Sequence, residues 1–458
     1  MFETISPIDG SVYYTGKNHS IKDIDKTLTK ATKAKQDWSA LTIKERAQYV
    51  KALVEAVVVN NTQIAEEITW QMGRPLSQSP GEVNGFQDRA NYMIDIAEDA
   101  LKLHEVEDND ASKRWIARTP LGVITVLSPW NYPFLTSVNA IVPALMSGNT
   151  VVLKHSFQTP LVAEQYAKAA KKAGLPEGVF QILHLNHQDT ATFIADPKVD
   201  GVCFTGSVTG GIAIQQALKD KFIPCGLELG GKDPAYVRAD ANLSNSVENL
   251  VDGAFFNSGQ SCCGIERIYV HENLYDKFID GFVDITKQYK LGNPLEDGVN
   301  LGPMVKTSAA NYVRQQVEQA INKGAKSLVD ESLFPASKKG TPYLAPQVLV
   351  NVNHNMDVMS EESFGPVIGI MKVKNDAEAI QLMNDSQYGL TASIWTANRD
   401  EAILLGSKIE TGTVFMNRCD YLDPALAWTG VKNSGRGVTL SKVGYEHVTR
   451  VKSFNFKT

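Results

Sequence analysis

From Ile21 to about Leu101, apolar residues recur at the three- and four-residue spacing of an amphipathic helix, so the first hundred residues are predicted to be mostly helical. Thr42-Ile43-Lys44-Glu45 places a hydroxyl three residues before a carboxylate. That capping box predicts a helix running through Tyr49, Leu53 and Val57. The pattern changes at Trp115-Ile116-Ala117-Arg118, after an acidic run, and Val123-Ile124-Thr125-Val126-Leu127 then reads as a buried strand. Beyond Ser128-Pro129 come strand-like Thr150–Leu153, a helix from Val162 to Ala173, strand-like Val179–Ile182 and Gly201–Phe204, and a helix after Gly211. This alternation predicts a parallel sheet with helices on its faces. It recurs between Val251 and Phe415, which predicts a second α/β unit. The end, Val448–Phe456, reads as a strand with nothing after it to pair with, the kind of tail that completes a sheet elsewhere, including one in another subunit.

At 458 residues the chain is too long for one simple core and divides into two or three domains. Its 43% hydrophobic and 21% charged residues are those of an ordinary soluble globular protein. A net charge of −6 with scattered lysines gives no basic field, which argues against a nucleic-acid partner. No run approaches the ~18 apolar residues of a spanning helix, and the start, MFETISPIDG, lacks a signal-peptide pattern, so no membrane association is expected. Five cysteines without metal-ligand spacing fit a reduced, cytoplasmic compartment and no zinc. His184-x-x-His187, flanked by Asn186 and Gln188, reads as a solvated loop pair rather than a ligand set.

Within this frame, Glu228 in Leu227-Glu228-Leu229-Gly230-Gly231-Lys232 lies 34 residues before Cys262 in Gly259-Gln260-Ser261-Cys262-Cys263-Gly264. Cysteine attacks as thiolate, and a carboxylate nearby activates either the thiol or a later water. By themselves the two cysteines read equally as a buried, inert pair. Phe204-Thr205-Gly206-Ser207-Val208-Thr209-Gly210-Gly211 joins a strand to a helix. It offers backbone amides at a helix N-terminus to a phosphate, yet the G-x-G-x-x-G fingerprint is absent and a plain tight turn fits as well. In Pro129-Trp130-Asn131-Tyr132-Pro133, Asn131 is a donor to a developing oxyanion or a cap of the next helix.

In order along the chain, PWNYP at 129–133, Lys154 closing a strand, FTGS at 204–207, LELGGK at 227–232, GQSC at 259–262, EESFGPV at 361–367, NDSQYGL at 384–390 and GVKNSGRG at 430–437 resemble the aldehyde dehydrogenase superfamily. The resemblance runs from Ser6-Pro7-Ile8-Asp9-Gly10 to the C-terminal tail. It implies an α/β fold with a Rossmann-like dinucleotide-binding domain (1–101 and 121–230), an α/β catalytic domain (231–433), and a small β oligomerisation element with the C-terminal tail (102–120 and 434–458). It also implies self-association as a homodimer or homotetramer, a small-molecule aldehyde as substrate, and NAD or NADP as cofactor. Cys262 is then the nucleophile that forms a thiohemiacetal, Asn131 and the Cys262 backbone N–H hold the oxyanion, and Glu228 activates the water that hydrolyses the thioester. Lys154 and Phe157 fall at the adenosine ribose, Gly206 and Ser207 at the pyrophosphate, Glu362 at the nicotinamide ribose, and Phe364 with Trp130 near the nicotinamide.

This chain departs from its relatives at several positions. NAD-preferring members carry a glutamate where Phe157 stands, so a carboxylate that would repel a 2′-phosphate is missing, and Lys154 or His155 offers a cation to it. NADP is therefore expected to be tolerated or preferred. Val208 replaces a common threonine. The same alignment puts Tyr132, Thr136, Asn139, Phe256, Asp420, Leu422 and Trp428 around the substrate pocket, whose aromatic walls favour an apolar or aromatic aldehyde. Relatives acting on succinate semialdehyde use arginines at the positions of Asn139 and Phe256. A dicarboxylic semialdehyde is thus disfavoured unless another basic residue substitutes. Asp420 either favours a cationic aminoaldehyde or is a structural loop carboxylate, and Ala427-Trp428-Thr429-Gly430 replaces a usual Pro-Phe-Gly-Gly. Cys263 is expected to be a small packing residue rather than an oxidative partner of Cys262. Because acyl-transferring relatives lack the general base, Glu228 favours hydrolysis; the alternative is an acylating or semialdehyde-specific dehydrogenase.

Overall fold

The structure, a computed structural model, describes residues 1–457. The predicted helical region forms Ile21–Ala40, Ile43–Val58, Asn61–Met72 and Pro80–Asp95. The capping box is present: the Glu45 amide donates to Thr42 Oγ1 at 3.2 Å while Glu45 Oε2 accepts from the Thr42 amide at 2.7 Å. Ile21–Ala40 packs on a six-stranded sheet in the order Gly435–Arg436, Cys225–Glu228, Gly201–Thr205, Val123–Ser128, Thr150–His155, Phe180–Ile182, and the other three pack on the helices Pro133–Met146 and Leu161–Lys172 and on one another. All but the first strand run parallel. Val123–Ser128 is buried along its whole length, as its apolar run dictates for a strand covered on both faces.

A second, seven-stranded sheet runs Lys326–Ser327, Gln347–Val350, Val367–Val373, Ile265–His271, Asp233–Val237, Thr391–Trp395, Thr413–Met416. Its core is separate and gathers Val247, Phe255, Ile268, Phe282 and Trp395. The two units meet at the carboxyl ends of the first sheet's parallel strands. Three motifs interlock there, because Ser434 Oγ donates to the Gly230 carbonyl at 2.7 Å and accepts from the Gly389 amide at 3.0 Å.

Two expectations are corrected. The helix after the FTGS turn spans Val208–Ala217, so it starts before Gly210 and Gly211 rather than after them; Ser207 caps it, accepting from the Gly210 amide at 3.1 Å. His184 is buried, covered by Phe2 from the N-terminal hairpin and hydrogen-bonded to Glu164 at 2.8 Å. The terminal strand, Thr449–Lys457, completes a sheet in its own chain, pairing antiparallel with Ser112–Pro120 over nine residues. With His104–Asn109 these form a three-stranded sheet in which Thr449–Lys457 remains an edge. Among the described residues, no helix is long and apolar enough to cross a membrane.

Candidate active site

The loop that carries Cys262 is bent by three consecutive left-handed residues, Asn257, Ser258 and Gly259, at φ of 52°, 57° and 70°. Such backbone is strained for a serine. It is held by Ser258 Oγ donating to the Gly302 carbonyl at 2.9 Å and by Gln260 Oε1 accepting from the Val305 amide at 2.8 Å. A side chain at 259 would collide with the Gly365 backbone, so only glycine closes this turn. Cys262 is thereby left half-buried, at the wall of a cavity of about 380 Å³, while Cys263 is buried.

Glu228 lines the same cavity. Its Oε1 accepts from Thr439 Oγ1 at 2.6 Å and its Oε2 from Thr205 Oγ1 at 3.0 Å. Burial raises its pKa above the ordinary carboxylate range, against the lowering effect of the two threonines. Asn131 stands just behind the lining. It is buried and does not cap the next helix; Nδ2 donates to the Gln260 carbonyl at 3.2 Å through one of its two N–H groups. The carboxylate Glu82 takes the cap instead, its Oε1 accepting from the Phe134 and Leu135 amides, both at 2.9 Å.

All seven pocket residues predicted from sequence, Tyr132, Thr136, Asn139, Phe256, Asp420, Leu422 and Trp428, line this cavity. Asp420 Oδ1 accepts from Ser261 Oγ at 3.0 Å and from Cys263 Sγ at 2.9 Å. One oxygen of its carboxylate is thus committed to the loop that carries Cys262. The Cys262 thiol beside it and burial push the Cys263 thiol well above its ordinary pKa, so Cys263 is a protonated donor.

Four charged residues of the site escaped the sequence reading. Arg74 and Glu82 form a buried ion pair at 2.5 Å, and Arg74 also holds the Asn257 side chain at 3.2 Å and the Asn131 carbonyl, fixing two segments around Cys262. Arg89 lines the cavity from the same helix as Glu82. Both occur seven residues apart on the stripe that buries Val83, Phe86, Ala90 and Met93, and charges on an apolar stripe were the available signal. Glu266 is the fourth. Paired with Lys232 at 2.5 Å, it accepts from the Ser363 and Phe364 amides, both at 2.8 Å.

That anchor holds the segment of Glu362 and Phe364, two residues expected beside the cofactor. Phe364, at φ of 51°, stands edge-on to Trp130 with ring centroids 5.7 Å apart. Glu362 Oε1 accepts from the Gly231 amide at 3.0 Å, in space that only glycine at 230 leaves open, and burial raises its pKa to about 8. Gly206 and Ser207 open the helix Val208–Ala217, and a side chain at 206 would meet the Phe204 ring. Lys154 has no ion-pair partner among the described residues, and its ammonium lies 5.3 Å from the Phe157 ring centroid. Phe157 in turn stacks on Phe2 at 4.2 Å. Burial alone lowers Lys154 to about 8. His155 is removed as a phosphate contact: it is fully buried, bonded to Thr159 and Pro133, and burial lowers it to about 3. The unpaired Lys154, the glycine-opened helix N-terminus and the Glu362 carboxyl group fit a nicotinamide dinucleotide.

Comparison with known proteins agrees with this geometry. The profile of the aldehyde dehydrogenase family matches residues 1–454. A probable betaine aldehyde dehydrogenase of Schizosaccharomyces pombe is 31% identical over 453 residues, covering 98% of this chain and 90% of the relative. An Escherichia coli succinate semialdehyde dehydrogenase [NAD(P)+] is 32% identical over 433 residues, covering 94% and 92%. Among solved structures, an aldehyde dehydrogenase from Brucella melitensis biovar abortus superposes with a TM-score of 0.95 at 30% identity, covering 99% of this chain and 93% of that one. The succinic semialdehyde dehydrogenase from Streptococcus pyogenes, in complex with NADP+, gives 0.95 at 28% identity and covers all of both chains. The chain belongs to the aldehyde dehydrogenase family.

Proposed function

We propose that this NAD(P)-dependent aldehyde dehydrogenase oxidises aldehydes to carboxylic acids through covalent intermediates on Cys262. The observation that carries the reading is one cavity lined by both the Cys262 thiol and the Glu228 carboxylate. Cys262 Sγ adds to the carbonyl carbon, and the thiohemiacetal oxygen is met by the second N–H of the Asn131 amide and the Cys262 backbone N–H. The nicotinamide of a bound cofactor would supply the acceptor for the hydride of this carbon, and a thioester would then remain on Cys262. Glu228 then takes a proton from the attacking water; its raised pKa brings it closer to the working pH of a general base. The carbon–sulfur bond breaks and the acid departs.

Lys154, Phe157, Gly206, Ser207, Glu362, Phe364 and Trp130 would hold the cofactor. Support for NADP use comes from the unpaired Lys154 and the absence of a carboxylate at Phe157. Relatives with NADP(+) in their names and a neighbour solved with NADP+ accord with it. The substrates for which relatives are named range from betaine aldehyde to succinate semialdehyde and 3,6-anhydro-alpha-L-galactose, so the pocket residues, not family membership, decide the aldehyde. Self-association is supported by the edge strand Thr449–Lys457, where Val451 and Phe456 are 65% and 56% exposed.

The test is to follow reduced nicotinamide with a panel of aldehydes and NAD or NADP, with and without coenzyme A. Turnover without coenzyme A, yielding free acid, is expected. No turnover with any aldehyde, or a strict need for coenzyme A, would overturn the reading.

A further inference from the structure

We propose that Arg89 binds a carboxylate on the substrate, so that the preferred aldehydes carry an anionic group at the end remote from the reacting carbonyl. The inference rests on the reading of Cys262 as the nucleophile of this cavity. Arg89 is 9% exposed and lines the cavity with Cys262 and Glu228. Its Nη1 donates to two neutral acceptors, the Leu135 carbonyl at 2.6 Å and Asn139 Oδ1 at 3.4 Å. Among the described residues, neither Nε nor Nη2 has a hydrogen-bond acceptor, and no carboxylate lies within 4.0 Å of the guanidinium.

Burying a guanidinium without a counter-charge is costly, and a bound carboxylate supplies what the fold withholds. Its planar fork matches a carboxylate through two parallel hydrogen bonds. The second cavity arginine makes the contrast. Arg74 is fully engaged by Glu82, Asn257 and Asn131, whereas Arg89 is not. Glu82 acts on Arg89 only through space, because its oxygens serve Arg74 and two helix amides. Asp420 Oδ1 accepts from Ser261 and Cys263, and no ion pair joins Asp420 to Arg89. Asp88 and Asp252 also line the cavity, but neither lies within 4.0 Å of the guanidinium. Arg89 touches Asn139, where an arginine was expected for a semialdehyde and found missing. The basic group has moved from one helix to its neighbour.

The measurement is kcat/KM for matched four- and five-carbon aldehydes ending in carboxylate, methyl or ammonium, for example 4-oxobutanoate, butanal and 4-aminobutanal. The carboxylates are expected to be preferred over the methyl compounds by about 100-fold or more, chiefly through KM. Arg89→Met keeps an apolar stem and should abolish that preference, lowering kcat/KM for the carboxylates by about the whole of that factor and for butanal far less; Arg89→Lys should restore part of it. Equal wild-type efficiency for carboxylate and methyl aldehydes, a preference for the ammonium series, or an equal loss on all substrates in Arg89→Met would overturn the proposal. If the methionine variant does not fold, inhibition of wild-type butanal oxidation by succinate decides, and its absence counts against Arg89. Turnover of butanal without carboxylate preference refutes only this proposal. Failure of every aldehyde refutes the function as well.

Discussion

Replacing Glu228 by glutamine separates the two halves of the reaction. Each carboxylate oxygen accepts one threonine hydroxyl, at 2.6 Å from Thr439 and 3.0 Å from Thr205. A glutamine amide has nearly the same shape. Its oxygen keeps the Thr439 bond, and the Thr205 hydroxyl rotates to accept from the new NH₂ group. Geometry survives while basicity is lost. General-base catalysis contributes roughly 10²–10⁴-fold, equivalent to about 3–5 kcal/mol of barrier, so steady-state turnover should fall by that factor. Thioester formation needs no activated water and should persist. Rapid mixing of Glu228→Gln with aldehyde and saturating cofactor is therefore expected to give one equivalent of reduced cofactor per active site in a fast burst, followed by slow release. The pH dependence carries the same sign. Only the carboxylate form is a base, so wild-type turnover is present above the Glu228 pKa and is lost as pH falls through it. Burial raises that pKa, which moves the loss toward neutrality. The glutamine variant should lack this acid limb. Cycling at the wild-type rate, or absence of the burst in a folded variant, would refute the assignment of Glu228 to deacylation alone.

Three further outcomes follow from the same geometry. Asn131→Ala removes a side-chain donor that is already anchored on Gln260, and kcat should fall by about 10²–10³-fold in steady-state assays; a loss under threefold would exclude its oxyanion role. Phe157→Glu sets a carboxylate beside Lys154, so the ratio of NADP to NAD efficiency should drop at least tenfold, and an unchanged ratio would remove position 157 from cofactor choice. Val451→Asp combined with Phe456→Asp alters only exposed positions of the terminal strand and should shift light-scattering mass toward the monomer, with an unaltered oligomer as the contrary result.

How much of this was legible in the sequence depends on where each residue's partners lie along the chain. Cys262, Glu228, Glu362 and the FTGS turn sit in short segments whose glycines and polar residues are dictated by local backbone shape, so their motifs carry the information with them. The alternation of strands and helices was legible for the same reason, since periodicity is local. Residues that work through long-range pairing were not. Thr439 reaches Glu228 across 211 positions, Arg74 reaches Asn257 across 183, and no local pattern distinguishes either from a surface residue. Glu82 and Arg89 form an intermediate case. Placed on a buried helical stripe seven residues apart, they break the apolar pattern of a helix that the sequence does predict. A charge tolerated at such a position must be paired or must face a cavity. Glu82 meets the first condition through Arg74, and Arg89 meets only the second. That difference turns a break in the hydrophobic pattern into a statement about substrate. The anionic group missing from the protein at Arg89 is the one the aldehyde should bring.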